Sequence, residues 1–201
     1  EQNKGNRELY LMNVDGSDNV KITNTPKSES NARWLSDSQI IYMRSGKLYT
    51  ATIEGATLKN ETEVAGAEGM ESFELSPAGD KLMFIKSVKA AQKPTDIYPD
   101  LDKSSGRTYT DLMYRHWDHF VEEVPHTYVA SFNGSQLSGI TDILAGDTAN
   151  PESEDKKFEL PTLPFGGLEQ LAWSPDGKYI AYSCRKLAGR DYAFSTNTDI
   201  Y

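Results

Sequence analysis

Cysteine is almost absent from the sequence, which has only Cys184 among its 201 residues. One thiol cannot form a disulfide within the chain, and it cannot supply the sets of cysteine ligands that hold structural zinc. Free cysteines are among the most frequently buried residues in proteins. We therefore expect Cys184 to be a free thiol packed in the interior.

Long hydrophobic runs and an excess of basic residues are missing as well. No apolar run approaches the roughly 18 residues of a membrane-spanning helix, and no signal peptide is visible in the polar sequence that starts at Glu1. The formal net charge is −9, and a protein of this charge is repelled by polyanions. We expect neither a membrane span nor a nucleic-acid partner.

The residues of a serine hydrolase are also lacking. The sequence has no G-x-S-x-G motif, whose serine lies on a tight turn beside the oxyanion hole. Its three histidines, His116, His119 and His126, all lie in one stretch of the chain. We expect no catalytic residue and no cofactor in these residues.

What the sequence does contain is a recurring strand–turn–strand pattern. Its clearest copy is residues 170–182, in which the letters SPDG fit a type I turn position by position. Residues 70–84 repeat this copy without a gap, and residues 32–42 repeat it with one turn residue fewer. Apolar residues flank both sides of the turn, so we expect a hairpin buried on both faces, with Trp173 and Tyr182 in the core.

A tyrosine followed six residues later by a glycine forms a second repeat. The pairs are Tyr10 and Gly16, Tyr49 and Gly55, and Tyr128 and Gly134, and Ile200-Tyr201 matches the start of a fourth copy. The distance of 39 residues from the first tyrosine to the second is typical of β-propeller blades. We therefore predict an all-β fold, in which residues 1–201 form a partial β-propeller of about four blades in whole or part.

One blade of the predicted propeller carries an insert. Phe84 and Tyr128 are 44 positions apart, whereas the corresponding Tyr42 and Tyr49 are only seven apart. We therefore place an insert at residues 86–125. Apolar residues within 109–121 recur at helical spacing, which predicts a short amphipathic helix there.

A long connection follows the insert. Residues 146–167 contain three prolines around the acidic run 152–155. Proline and consecutive carboxylates are unfavourable in regular buried structure. We expect an exposed loop that is mobile over part of its length.

Two patterns in the insert have the residue types of metal sites. The first is a group of possible zinc ligands: His116, Asp118, His119 and His126. Its first two histidines are three positions apart, not the four that direct both imidazoles to one ion. The second matches part of a calcium loop: Asp100, Asp102, Ser104 and Asp111. The glycine that this loop requires is Ser105, so we predict no metal site.

The repeats and two longer segments resemble known families. "LAWSPDGKYIAY" followed by "DIY" resembles the TolB-type propeller repeat. "YTDLMYRHWDHFVEEVPHTYV" and "LPFGGLEQLAWSPDGKYIAYSCRK" resemble the N-terminal propeller of bacterial dipeptidyl peptidases in the prolyl oligopeptidase family of serine peptidases, in the branch near acylaminoacyl peptidases. This resemblance covers nearly the whole chain.

The resemblance implies a non-catalytic propeller of a secreted or periplasmic serine peptidase. Such a propeller lies over a C-terminal α/β-hydrolase domain of the same protein, which is absent from this chain, and it admits only short peptide substrates. The alternative is a TolB-like propeller that binds other proteins of the cell envelope and has no enzymatic partner domain.

The resemblance also suggests where a peptide would bind. Aminodipeptidases of the wider family bind the substrate's N-terminal ammonium with acidic residues from a propeller insert, and Glu122-Glu123 occupy a loosely similar position here. Such a charge-assisted hydrogen bond is stronger in a partly desolvated pocket than in water. The candidate substrate-binding residues are Glu122, Glu123, Arg115, Trp117 and Tyr114. The alternatives are a solvated charge pair at a helix end and simple packing of the insert.

Overall fold

The computed structural model describes residues 5–109, 112, 114–147, 158–187 and 189–201. In these residues short β-strands dominate, which confirms the all-β prediction. The helices found there are α1 (Pro94–Ile97) and α2 (Gly189–Phe194), and Leu168–Gln170 forms one 3₁₀ turn. Neither described helix is long and apolar enough to cross a membrane.

The strands follow one another along the chain as β1 (Tyr10–Leu11), β2 (Val20–Lys21), β3 (Glu29–Trp34), β4 (Gln39–Arg44), β5 (Lys47–Glu54), β6 (Thr57–Glu63), β7 (Ser72–Leu75), β8 (Lys81–Lys89), β9 (Arg115–His116), β10 (His119–Phe120), β11 (Glu123–Phe132), β12 (Leu137–Asp142), β13 (Leu171–Trp173), β14 (Ile180–Cys184) and β15 (Asp199–Ile200). One four-stranded sheet has the order β3-β4-β5-β6 and another the order β7-β8-β11-β12. A three-stranded sheet has the order β13-β14-β15, and β1–β2 and β9–β10 form two-stranded pairs.

The repeated tyrosines occupy equivalent places in these sheets. Tyr49 lies in β5 and Tyr128 in β11, each the third strand of its four-stranded sheet. Tyr201 directly follows β15, the third strand of the next sheet, and exchanges two backbone hydrogen bonds with Tyr182. The ring of Tyr49 stacks on Tyr42 at 6.0 Å, and that of Tyr201 stacks on Tyr182 at 5.5 Å. Tyr49, Tyr128 and Tyr201 of the repeat thus share a third-strand position, whereas Tyr10 lies in the two-stranded β1–β2 pair.

The predicted turns are present. The Gly177 amide donates to the Ser174 carbonyl at 2.9 Å, and the Ser174 hydroxyl accepts from the Tyr179 amide at 2.9 Å. The corresponding Ser76 hydroxyl accepts from the Lys81 amide at 3.0 Å. A serine at the first turn position thus satisfies a backbone donor that the tight turn leaves without a strand partner.

The chain divides into two compact units. One comprises the described residues of Glu1–Phe84 and Ala130–Ile140, and the other comprises those of Ile85–Val129 and Thr141–Tyr201. In the first unit, β4 buries four consecutive apolar residues, from Ile40 to Met43, so both of its faces are covered. In the second unit, Cys184 has no exposed surface and is a free thiol, as predicted.

The expectation that the hairpin of residues 170–182 is buried on both faces is wrong. Leu171 is buried, but Ala172 is exposed and Trp173 is only half-buried. Across the ladder Ala172 pairs with Ala181, which is also exposed, and Tyr182 is half-buried. Apolar letters on both sides of a strand do not specify which elements cover them, and in this unit one face of β13 and β14 is open.

The helix predicted within residues 109–121 is also wrong. Residues 115–120 form the β9–β10 hairpin, with His116 paired to His119 and the Val121 amide donating to the Tyr114 carbonyl at 3.0 Å. Short apolar runs satisfy helix and strand patterns equally well. The helical turn of the insert is α1, which lies earlier, and three positions of the predicted helix, Thr110, Asp111 and Met113, lie outside the described residues.

Candidate functional site

Glu122 lies where the insert returns to the sheet, directly before β11, and we call this point the neck of the insert. Two cations bind its side chain. Its carboxylate accepts from Arg107 Nε at 2.5 Å and from Lys93 Nζ at 2.8 Å. Its backbone carbonyl accepts from the amides of Ala90 and Ala91, the two residues that follow β8. The hydrogen bonds from Lys93 and Arg107 lower the pKa of Glu122. The charge of this carboxylate is therefore already compensated within the chain.

Glu123 has a different environment. It is exposed at the first position of β11, and it forms no ion pair or side-chain hydrogen bond with any residue that the structure describes. The residues that follow it, from Val124 to Thr127, are buried. Glu123 thus has no cationic partner among the described residues, whereas the neighbouring Glu122 has two.

The other three predicted site residues lie on or beside the β9–β10 hairpin. Tyr114 is 46% exposed and Arg115 is exposed. The guanidinium of Arg115 lies 6.0 Å from the ring centre of Phe120, and Arg107 lies over the same ring at 4.6 Å. These cation–π contacts restrain the direction of both guanidinium groups, and Arg107 is held further by its hydrogen bond to Glu122.

Trp117 is the third of these residues and lies at the hairpin turn. Its side chain is 73% exposed, and its φ of 47° is in the left-handed region that non-glycine residues rarely adopt. Its ring contacts Phe165 edge to face, with centroids 4.9 Å apart. Phe165 is itself 75% exposed. The two rings form an aromatic pair that the rest of the unit leaves open to solvent.

A buried polar cluster of Glu159, His116 and Tyr192 adjoins this pair through His116, the residue before Trp117. The sequence did not indicate this cluster. Glu159 is 6% exposed, and its Oε1 lies 3.2 Å from Nε2 of His116. Its Oε2 accepts from the Tyr192 hydroxyl at 2.5 Å and from the Leu163 amide at 3.3 Å. Burial, followed by the nearby Glu159 charge, raises the pKa of Tyr192. Tyr192 therefore stays a neutral donor to the carboxylate.

Glu159 belongs to residues 158–162, which are all buried although the sequence predicts an exposed loop over 146–167. The segment runs beside β11, because the Leu160 amide donates to the Pro125 carbonyl at 3.0 Å and the Leu160 carbonyl accepts from the Thr127 hydroxyl at 2.8 Å. The acidic run 152–155 lies outside the described residues.

The histidines do not converge on a common point. His116 contacts Glu159, His119 contacts Asp118 at 3.1 Å, and His126 contacts Asp142 at 2.8 Å. Among the described residues, no three histidine, cysteine, aspartate or glutamate side chains are grouped as metal ligands. Asp111 of the calcium-like pattern lies outside the described part of the chain.

Comparison with known proteins gives one consistent result. No protein-family model matches the chain. It is 37% identical over 202 residues to dipeptidyl-peptidase 5 of Porphyromonas gingivalis and 35% identical over 206 residues to that of Porphyromonas endodontalis. The chain resembles a segment of dipeptidyl-peptidase 5. These alignments include 99% and 100% of this chain, and dipeptidyl-peptidase 5 of Aspergillus fumigatus is 30% identical over 83% of it.

The chain spans 28% of the length of the two Porphyromonas relatives and 24% of the Aspergillus relative. The link to a dipeptidyl peptidase that the sequence resemblance implies is confirmed by these similarities. They extend across the insert as well as the sheets, because they cover nearly every residue of the chain.

Proposed function

We propose that this chain is the non-catalytic propeller segment of a serine dipeptidyl peptidase of the prolyl oligopeptidase family, secreted or periplasmic. The observation that carries the proposal is the similarity to dipeptidyl-peptidase 5 along 99% of the chain. The four-stranded sheets, with their repeated turns and third-strand tyrosines, are blades in this proposal and resemble TolB-type repeats. The catalytic serine, histidine and acid belong to an α/β-hydrolase domain of the same protein.

In this proposal the propeller limits access to the hydrolase domain, so that short peptides are the substrates. The insert at residues 86–125 supplies contacts to the N-terminal side of the peptide. The insert is a long connection between β8 and β11, which are adjacent strands of one sheet. Exposed polar and aromatic side chains at its hairpin, among them Arg115 and Tyr114, support a role in binding.

The two acidic residues have separate roles in the proposal. Glu123 binds the ammonium of the substrate's N-terminus, because its carboxylate is open and lies at the end of a strand. Glu122 holds the neck of the insert, because Arg107 and Lys93 already compensate its charge. A carboxylate binds an ammonium best when no cation of the protein competes for it.

The full-length protein tests the proposal in two measurements. A fluorophosphonate probe should label one serine, and a dipeptide amide with a free N-terminus and a chromogenic leaving group should be hydrolysed. Labelling and hydrolysis should both be lost when that serine is replaced by alanine. Absence of both in the wild-type protein would overturn the proposal and favour the envelope-binding propeller.

A further inference from the structure

We propose that Glu159 is a positioning residue that holds Trp117 and Phe165 together as one contact surface for an apolar side chain of the bound peptide. The inference rests on the proposed function, and it adds the substrate class and a residue from outside the insert. It is carried by the exposed aromatic pair and by a buried carboxylate that contacts the residue before Trp117 and the backbone two residues before Phe165.

The aromatic pair has the exposure of a binding surface. Trp117 and Phe165 leave about three-quarters of their side chains in solvent while contacting each other at 4.9 Å. An edge-to-face contact leaves the face of one ring free to pack against an apolar group. Trp117 also holds a left-handed backbone conformation, a form of strain that is concentrated at ligand-binding sites.

The Glu159 carboxylate contacts the segment that carries each ring. Glu159 Oε1 contacts His116, the residue that precedes Trp117. Glu159 Oε2 accepts from the Leu163 amide, two residues before Phe165. The two rings are 48 positions apart in sequence, and the Glu159 carboxylate contacts both of the segments that carry them. Its donor Tyr192 contacts the same two segments, with its ring centre 6.3 Å from that of His116 and its hydroxyl 3.3 Å from the Leu163 carbonyl.

The carboxylate is itself held in place. The Tyr192 hydroxyl donates to Oε2 at 2.5 Å, and the guanidinium of Arg185 lies 4.2 Å above the Tyr192 ring. The backbone carbonyl of Glu159 accepts from the Cys184 thiol at 3.6 Å. A buried carboxylate with several donors has one orientation, so it transmits a fixed geometry to the two segments that it contacts.

Hydrogen bonds also hold the segment that carries Phe165. The Gly166 amide donates to the Thr162 carbonyl at 2.9 Å, and the Thr162 amide donates to Gln170 Oε1 at 2.8 Å. A Cβ atom at Gly166 would overlap the Thr162 carbonyl oxygen. Gly166 is therefore required for the path that brings Phe165 to Trp117.

The occupant is an apolar side chain of a peptide because the pair offers rings and no charge. Arg115 lies in the same hairpin as Trp117 and provides donors for the peptide backbone. The relatives are named dipeptidyl peptidases, whose substrates are peptides. A surface of two rings favours large apolar side chains over small ones, and the gain per added methylene in such a contact is modest.

The first experiment measures kcat and KM of the full-length protein for dipeptide amides that differ only in side chain, large and apolar or small. Trp117→Ala and Phe165→Ala should each raise KM for the apolar substrate by roughly 10-fold and leave the small substrate nearly unchanged. The double variant should lose no more than either single variant, because the rings act as a pair. Tyr179→Ala, which removes an equally exposed ring elsewhere in the same unit, is the control.

The second experiment tests the positioning role. Glu159→Ala should reduce the apolar-to-small preference as Trp117→Ala does, and Glu159→Gln should restore part of it because the amide oxygen still accepts. If Glu159→Ala does not fold, Gly166→Ala perturbs the Phe165 segment without removing the carboxylate and should reduce the same preference. Gly146→Ala, where a Cβ meets nothing within 4 Å, is its control.

The outcomes separate this inference from the proposed function. An active wild-type protein whose preference is unchanged in the Trp117 and Phe165 variants overturns the inference alone. Equal losses on both substrates also overturn it, because they indicate that the pair packs against another part of the protein. A wild-type protein that releases no dipeptide overturns both the proposed function and the inference.

Discussion

Glu29 and Arg44 form an ion pair in which Oε1 lies 2.7 Å from Nε and the carboxylate side chain has no exposed surface. The hydroxyls of Thr23 and Thr25 also donate to this carboxylate, at 3.1 and 2.7 Å. Arg44 also forms an ion pair with Glu61 on β6, in which Nη1 lies 2.7 Å from Oε1. The cluster joins the start of β3 to the end of β4, and through Arg44 to the last strand of the sheet.

The first prediction concerns this ion pair. Glu29→Gln should lower the unfolding free energy of the first unit by roughly 2 kcal/mol, because Arg44 loses its buried partner and keeps only the partly exposed Glu61. Urea unfolding followed by hydrogen exchange in β3 and β4 measures the change. Glu63→Gln, which breaks the exposed pair with Lys47 in the same sheet, should have too small an effect to resolve. Equal effects of the two variants would show that burial does not strengthen the Glu29 pair.

The second prediction concerns the repeated glycines. Gly55 has a φ of 61° and open space around a Cβ position, so its requirement is backbone conformation alone. Gly55→Ala should cost about 1 kcal/mol, and Gly55→Asn less, because asparagine tolerates the left-handed region. Urea unfolding gives both values. Gly146→Ala is the matched control, and a loss there as large as at Gly55 would exclude the conformational explanation.

The third prediction is a pH dependence from Cys184. Burial raises the pKa of its thiol from the ordinary value of 9.0 to about 11. Between these values the unfolded chain releases the proton while the native chain keeps it. The thiol's contribution to stability is therefore complete below pH 9 and is lost as the pH rises to about 11.

Two measurements check this prediction. The native protein should resist a thiol reagent at neutral pH, and the denatured protein should react at Cys184. Cys184→Ala should lose less stability than the wild type between neutral and alkaline pH. Rapid labelling of the native thiol would contradict its burial.

The sequence predicts well those features that depend on a few adjacent residues. The Ser174 turn and the left-handed glycines at Gly16, Gly55 and Gly134 follow from local conformational preference, and the structure has them where the letters place them. The third-strand tyrosines follow from the same repeat. Each of these features is decided within about ten residues of chain.

The features that the sequence does not predict depend on contacts with residues far away along the chain. Glu159 reads as part of an acidic, proline-rich loop, yet it is buried because His116 and Tyr192, 43 and 33 residues away, contact it. The spacing of His116 and Phe120 fits a helix or a hairpin, and pairing across the Trp117 turn decides between them. Glu122 and Glu123 look equivalent in sequence, and Lys93 and Arg107 make them different.

The most direct test of the proposed function compares the two adjacent carboxylates in the full-length protein. Glu123→Gln should lower kcat/KM for dipeptide amides with a free N-terminus by roughly 10- to 100-fold, the worth of a charge-assisted bond of about 1.5–3 kcal/mol. N-acetylated dipeptide amides should be nearly unaffected. Glu122→Gln, which loosens the neck of the insert, should change both substrate classes by the same factor. If Glu123→Gln leaves both classes unchanged, the carboxylate is a solvated strand end and the account of N-terminal recognition is wrong.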